Sequence, residues 1–315
     1  MSDIKKTDTI VVTGGTGFLG KAVVADLESN GYTNVVSIGS ADYDLRSMNA
    51  VEAMYNHKQP DAVIHLAATV GGIGANKENP GRFMYENLAM GTNLIEEGRH
   101  QDLKKFVMVG TVCAYPKFTP VPFKEEEIWN GYPEETNAPY GIAKKALMQL
   151  IISYKEQYGF NGVNVIPVNM YGPNDNFDPK ISHVIPALIL KFHEAMQSEP
   201  HSPVSVWGTG NASREFLYAE DCAEAIRIAM ESHNDPQPIN IGTGDEITIK
   251  DLVHLLAEEM GYEGHMVFDT SKPDGQPRRC LDVTRATESL GFTCKTSFRE
   301  GIRKTIEWFR LHGDK

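Results

Sequence analysis

Tyr140 and Lys144 stand four residues apart in Tyr140-Gly141-Ile142-Ala143-Lys144. On a helix this spacing puts both side chains on one face and brings the ammonium near the phenol. A tyrosine titrates near 10 in water, so a fixed cation beside it favours phenolate and draws its proton toward chemistry at neutral pH. The same lysine has the reach to hold a cofactor ribose. Upstream, Thr111 follows the apolar run Phe106 to Val109, where the carboxyl end of a strand would present a hydroxyl to a cleft. Hydroxyl, phenol and ammonium make a reductase triad, which needs a hydride carrier.

The carrier's site is legible earlier in the chain. Ile10-Val11-Val12 leads into Gly14-Gly15-Thr16-Gly17-Phe18-Leu19-Gly20, and the Val23, Val24 and Leu27 spacing that follows suits a helix packed on a sheet. In such a strand-turn-helix unit the glycines let the backbone approach a pyrophosphate, and the helix start offers unpaired N–H groups and a positive dipole end. The run Asp61 to Ala68 reads as a buried parallel strand ending in the small residues Ala67 and Ala68, against which a cofactor can lie.

Further apolar runs at Val35 to Ile38, Lys105 to Val109 and Val163 to Val168 alternate with helical stretches. This alternation predicts an α/β fold with a doubly wound parallel Rossmann sheet. After Tyr171-Gly172-Pro173, the Asn, Asp and Pro-rich segment Asn174 to Lys180 marks the start of a smaller α/β C-terminal lobe. Pro238 to Gly242 reads as another buried strand, so the chain returns to the first domain before a late helix over Ile249 to Met260. The expected division is a dinucleotide-binding domain over 1–170 with a return segment over about 215–246, and a lobe built from 171–214 and 247–315.

The chain has 315 residues, long enough for this architecture, and a formal net charge of −12. That charge argues against a nucleic-acid surface and requires that cations for a nucleotide be gathered locally. Cys113, Cys222, Cys280 and Cys294 are widely spaced with no Cys-x-x-Cys pair, and no apolar leader or membrane-length run is present. These features lead to the expectation of a soluble protein in the reducing cytoplasm, away from membranes, with no metal site.

Several segments carry a more specific resemblance, including Val70-Gly71-Gly72-Ile73, Cys113-Ala114-Tyr115-Pro116-Lys117, Tyr171 to Phe177 and Ser182-His183-Val184-Ile185-Pro186. Val206 to Gly210, Arg214-Glu215-Phe216 and Ser271 to Gly275 extend it. With them the chain resembles, nearly end to end, the extended short-chain dehydrogenase/reductase family and, within it, the epimerase/reductases of GDP-linked 4-keto sugars. The resemblance implies NADPH-dependent epimerisation of GDP-4-keto-6-deoxy-D-mannose at C3 and C5, then reduction at C4 to GDP-L-fucose.

Hydrogens on C3 and C5 both flank the C4 ketone, so removal of either leaves an enolate whose oxygen Tyr140 and Thr111 can hold. Inversion needs a base on one face and an acid on the other, roles the resemblance gives to Cys113 and His183 without ordering them. It implies cofactor contacts at Gly14, Thr16, Gly17, Phe18, Leu19, Gly20, Ser40, Leu66, Ala67, Ala68, Tyr140, Lys144, Pro167, Asn169 and His183. For the substrate it implies Thr111, Val184, Lys191, Trp207, Arg214, Lys272 and Arg279, the cations pairing with phosphate oxygens.

The family's usual serine is Thr111 here, which keeps the hydroxyl but restricts its rotamer. Where some relatives hold the 2′-phosphate of NADPH with arginines, this chain has only Thr16 and Ser40, with Asp42 close by; NADPH is still the expected cofactor, because no carboxylate directly follows Ile38. Two other functions are compatible with the same residues: a C4 ketoreductase on a related GDP-4-keto sugar, such as a heptose, without epimerisation, and a cofactor-sensing binding protein on a reductase fold. The helix from Tyr140 carries more apolar positions, through Leu150, Ile151 and Tyr154, than one face needs, which predicts a homodimer.

Overall fold

A computed structural model describes residues 4–71, 73–179, 182–198, 202–272 and 274–313. Gly72, Lys180 and Pro273, which fall in segments singled out above, lie outside the described residues. In chain order the strands are β1 (Ile10–Thr13), β2 (Val35–Ile38), β3 (Ala62–His65), β4 (Lys105–Val109), β5 (Gly162–Pro167), β6 (Asn169–Tyr171), β7 (Val204–Trp207), β8 (Ser213–Arg214), β9 (Phe216–Tyr218), β10 (Ile239–Ile241), β11 (Ile247–Thr248) and β12 (Met266–Asp269). The α-helices are α1 (Phe18–Ser29), α2 (Met48–Lys58), α3 (Ile73–Glu78), α4 (Pro80–His100), α5 (Ala138–Tyr158), α6 (Val184–Ser198), α7 (Ala219–Ser232), α8 (Ile249–Met260), α9 (Thr284–Leu290) and α10 (Phe298–His312).

The central sheet is six-stranded and parallel, in the order β10-β5-β4-β3-β1-β2. Its inner strands are apolar and buried along their whole length, as parallel strands covered on both faces must be. The helix layers differ in composition. Leu19, Val23 and Leu27, one helical turn apart on α1, join residues of α7 and α9 on one face of the sheet. Met54 and Tyr55 of α2, Leu94 and Ile95 of α4, and Leu147 and Ile151 of α5 cover the other. Strand order reverses between β1 and β3, and in open α/β sheets such a switch point opens the ligand crevice at the carboxyl ends of the strands.

A separate apolar cluster joins Ile185, Ile189 and Phe192 of α6 to Leu252 and Leu256 of α8 and Ile302, Ile306 and Phe309 of α10, with the parallel pair β7 and β12 alongside. The expectation that all of 247–315 belongs to this lobe meets one difference. Leu281, Ala286, Leu290 and Phe292 are buried in the sheet's own core, because α9 packs against β10 and α7. Phe216 and Tyr218, expected within the return segment, instead belong to the second cluster, where β9 pairs with β6. Among the described residues, no helix is long and apolar enough to cross a membrane.

Candidate active site

The glycine turn lies at the switch point. Gly14 has a φ of +72°, and a Cβ there would meet Ala67 N at 2.9 Å, so the end of β1 and the chain leaving β3 touch backbone to backbone. Gly14 N donates to Ile38 O at 2.8 Å, which ties the turn to the end of β2. At the start of α1, Gly17 provides no side-chain cap, and no acidic residue occupies the first turn. Its N–H groups and dipole therefore face outward for an anion, which fits the pyrophosphate of a dinucleotide. Thr16 and Gly17 are exposed and Phe18 is half-buried, whereas Leu19 is packed in the core and offers the cleft only backbone. Leu66, Ala67 and Ala68 form a half-buried wall after β3; Ser40 is exposed beyond β2.

The residues expected to form the reductase triad collect at the end of β4. Thr111 caps a short 3-10 turn, Val112–Ala114, by accepting the Cys113 N–H at 3.2 Å, so hydroxyl and thiol ride on one rigid unit. Tyr140, in the first turn of α5, lies near enough to the Thr111 hydroxyl and the Cys113 side chain for both to act on its phenol. Lys144 is 1% exposed and donates to Val109 O at 3.0 Å, with its Nζ 6.0 Å from the centre of the Tyr140 ring.

This geometry corrects the expectation that Lys144 makes Tyr140 a ready phenolate. Burial pushes the phenol up, the Cys113 side chain adds to the effect, and only the nearby Thr111 hydroxyl opposes it. Burial also lowers Lys144 to about 8. The site thus holds a protonated phenol, a hydrogen-bond and proton donor, beside an ammonium that sheds its proton easily.

Lys144 has a measurable consequence. Its folded pKa, about 8, lies below its ordinary 10.5, so between these values the unfolded chain binds more protons and stability rises with pH. Melting temperatures of the wild type relative to Lys144→Met should therefore climb from pH 8 to 10.5. A flat difference would contradict the buried ammonium.

Asn169, His183, Val184 and Arg214 line a small cavity of about 80 Å³ between the sheet and the second lobe. His183 keeps an exposed edge at the start of α6, yet the atoms packed around it lower its pKa. Asn169 is held there by donating to Glu215 O at 3.1 Å. Pro167 is buried within β5 and pairs with Ile241, so only its backbone can reach a ligand.

The cations expected around the nucleotide separate into three places. Arg214 is half-buried and lowered to about 10, first by burial and then by repulsion from Arg279, with the Asp274 carboxylate opposing the shift; two neighbouring guanidiniums favour a phosphate. Trp207 is 67% exposed, with Lys272 Nζ 5.7 Å from its ring. Lys191 stands apart and donates to Ser205 O at 2.9 Å. Arg279 Nη1 also lies 4.0 Å from Cys113 Sγ, and Gln276 Oε1 accepts from the same guanidinium at 3.0 Å. Arg279 therefore reaches the Cys113 thiol as well as Arg214. A larger cleft of about 860 Å³, lined by Lys124, Trp129, His233 and Arg285, lies where β10 begins, at the opposite end of the sheet, and contains none of these groups.

Sequence reasoning missed Glu215. Its carboxylate is fully buried and accepts the N–H groups of Thr243 at 2.6 Å, Gly244 at 2.8 Å and Leu281 at 2.7 Å, while its own N–H donates to Arg279 O at 3.1 Å. It laces the loop after β10 and the extended segment bearing Arg279 to the segment bearing Arg214. The signal was a lone acid leading into the apolar run Phe216-Leu217, directly after an arginine already singled out. Glu215→Ala leaves these donors without acceptors and should cost about 3 kcal/mol or more. Thermal melts would test this, and a loss below about 1 kcal/mol would show that the lacing is dispensable.

Fold and site together define an enzyme of the extended short-chain dehydrogenase/reductase class. The chain belongs to the NAD dependent epimerase/dehydratase family, whose pattern matches residues 10–242. It is 40% identical over 309 residues to GDP-L-fucose synthase 1 of Arabidopsis thaliana, covering 98% of this chain and 94% of that protein. Among solved structures, a GDP-L-fucose synthetase from Naegleria fowleri bound to NADP superimposes with a TM-score of 0.93 at 31% identity, covering 100% of this chain and 96% of that one. A GDP-6-OMe-4-keto-L-xylo-heptose reductase from C. jejuni gives a TM-score of 0.90 at 29% identity, with 98% and 99% covered.

Proposed function

We propose that the protein converts GDP-4-keto-6-deoxy-D-mannose to GDP-L-fucose by 3,5-epimerisation and NADPH-dependent reduction at C4. The observation that carries this is that Cys113 shares a 3-10 turn with Thr111, directly beside Tyr140, so a thiol acid/base and a reducing triad serve one carbonyl. The full-length similarity to a GDP-L-fucose synthase supports the same substrate.

In this mechanism one of Cys113 and His183 takes the proton from C3 or C5 and the other returns a proton on the opposite face. Tyr140 and Thr111 donate hydrogen bonds to the C4 oxygen while it carries enolate charge. Bound NADPH supplies the hydride to C4. Tyr140 gives its proton to the C4 oxygen, and Lys144, buried and easily deprotonated, is placed to help restore it. Arg214, with Arg279 beside it, pairs with the pyrophosphate, and Trp207 and Lys272 contact the outer part of the nucleotide. The glycine turn and the wall of Leu66, Ala67 and Ala68 hold the cofactor, with Ser40 at its ribose end. Similarity to the heptose reductase supports a second reading, C4 reduction without epimerisation.

Association as a homodimer is part of the proposal. The adjacent α4 and α5 support it, with Tyr85 65% exposed and Ala146 also facing outward. A clean monomer in sedimentation at micromolar concentration would refute it. We also assign the protein to the cytoplasm, consistent with its free cysteines, and divide it into a dinucleotide-binding domain to about residue 170, with its return segment, and a sugar-binding lobe. Incubation with GDP-4-keto-6-deoxy-D-mannose and NADPH should consume one NADPH per GDP-L-fucose formed. No turnover beside an active control enzyme would overturn the function.

A further inference from the structure

The end of β2 contains a feature that the proposed reaction does not use. Gly39 is the first residue after the strand, where the adenosine ribose of a dinucleotide lies in this fold. A Cβ built on Gly39 would sit 3.0 Å from Thr16 Oγ1 and 3.6 Å from Asp42 Oδ2, so the glycine turn and the Asp42 carboxylate meet there. Gly39 N donates to Asp42 Oδ2 at 2.8 Å, and Asp42 N donates back to Gly39 O at 3.1 Å. The carboxylate therefore occupies the backbone donor that an anion at this position would seek.

The nearest cation along the β2 segment does not offset this arrangement. The first cation along the chain after β2 is Arg46, and its guanidinium is committed elsewhere. Nε and Nη2 donate to Asp44 at 2.8 and 2.9 Å, and Nη1 donates to Glu86 at 2.8 Å. Glu86 also accepts from Thr69 and Arg82, so this network is closed. Thr16 and Ser40 add only hydroxyls.

We propose that Asp42 sets the cofactor preference and that the protein accepts NADH with an affinity comparable to that for NADPH. The proposal rests on the dinucleotide reading of the glycine turn. A 2′-phosphate must displace the carboxylate from Gly39 N–H and then lie against its charge, whereas a ribose 2′-hydroxyl donates to the same oxygen. Asp42 thus opposes the very group that distinguishes NADPH, and no free guanidinium of the β2 segment compensates.

Binding titrations by cofactor fluorescence, with 2′,5′-ADP and 5′-AMP as competitors, test this without turnover. Asp42 is exposed, so Asp42→Asn should fold normally. For the wild type we expect dissociation constants for NADPH and NADH within about tenfold of each other, as one surface like-charge contact dictates. Asp42→Asn should tighten NADPH and 2′,5′-ADP roughly tenfold while leaving NADH and 5′-AMP within about threefold. A wild type that binds NADPH 100-fold or more tightly than NADH, or a ratio unmoved by Asp42→Asn, overturns the assignment of Asp42. Failure of the wild type to bind either dinucleotide overturns the cofactor reading itself, and this proposal with it.

Discussion

Tyr140→Phe should lower NADPH oxidation by about 10³- to 10⁴-fold while leaving the fold and cofactor affinity intact. The phenol is protonated at neutral pH because burial pushes it up, and the packing of Gly141 on the Cys113 and Ala114 backbone holds the start of α5 beside the turn that carries Thr111 and Cys113. Phenylalanine keeps the ring and removes the donor. The C4 oxygen then has no proton to accept as hydride arrives, and Thr111 alone holds the enolate. Exchange of C3 and C5 hydrogens with solvent should fall less, by about 10²- to 10³-fold, since that step loses one oxyanion donor and no obligatory acid. Stopped-flow NADPH consumption and deuterium uptake, measured on the same variant, separate the two effects. Equal losses in both would mean that Tyr140 only shapes the pocket.

The second large effect comes from a residue with no side chain. A Cβ on Gly141 would run into the Cys113 carbonyl group, with Cys113 C at 3.0 Å and Ala114 Cα at 3.4 Å. Because these are backbone atoms on the turn that holds both Thr111 and Cys113, no rotamer change relieves the clash. Gly141→Ala must push α5 away from that turn, separating Tyr140 from Thr111 and from the thiol. A displacement near 1 Å costs on the order of 100-fold in a positioned reaction. Reduction and epimerisation should drop together by about that factor, with Ile142→Ala as a neighbouring control that stays close to wild type. Retention of more than about a third of wild-type activity by Gly141→Ala would mean that α5 need not lie so close.

Much of the fold was legible because buried parallel strands announce themselves. Val35–Ile38, Lys105–Val109 and Ile249–Met260 lie where the apolar runs and helical spacing placed them. Fold class followed from their alternation. The site was legible where chemistry needs a residue type at a fixed spacing, as with Tyr140 and Lys144 or the glycine turn. What escaped is set by tertiary contact. Nothing in the order of residues reveals that Gly141 abuts the Cys113 carbonyl, that Arg279 reaches the Cys113 thiol, or that Glu215 laces three segments together. Spacing alone makes Lys144 a cation that favours phenolate. The spacing does bring the two side chains together, but burial, which cannot be read from spacing, raises the phenol and lowers the ammonium. Likewise α9 packs on the sheet although the segments flanking it build the second lobe.

The central claim is that one carbonyl site carries out both inversion and reduction. It is tested most directly by running the reaction with GDP-4-keto-6-deoxy-D-mannose and NADPH in deuterated water and locating deuterium in the sugar product by NMR and mass spectrometry. The account predicts GDP-L-fucose carrying solvent deuterium at C3 and C5 and none at C4, where the hydride comes from the cofactor. A reduced product without deuterium at C3 and C5 would contradict it and leave a simple C4 reductase.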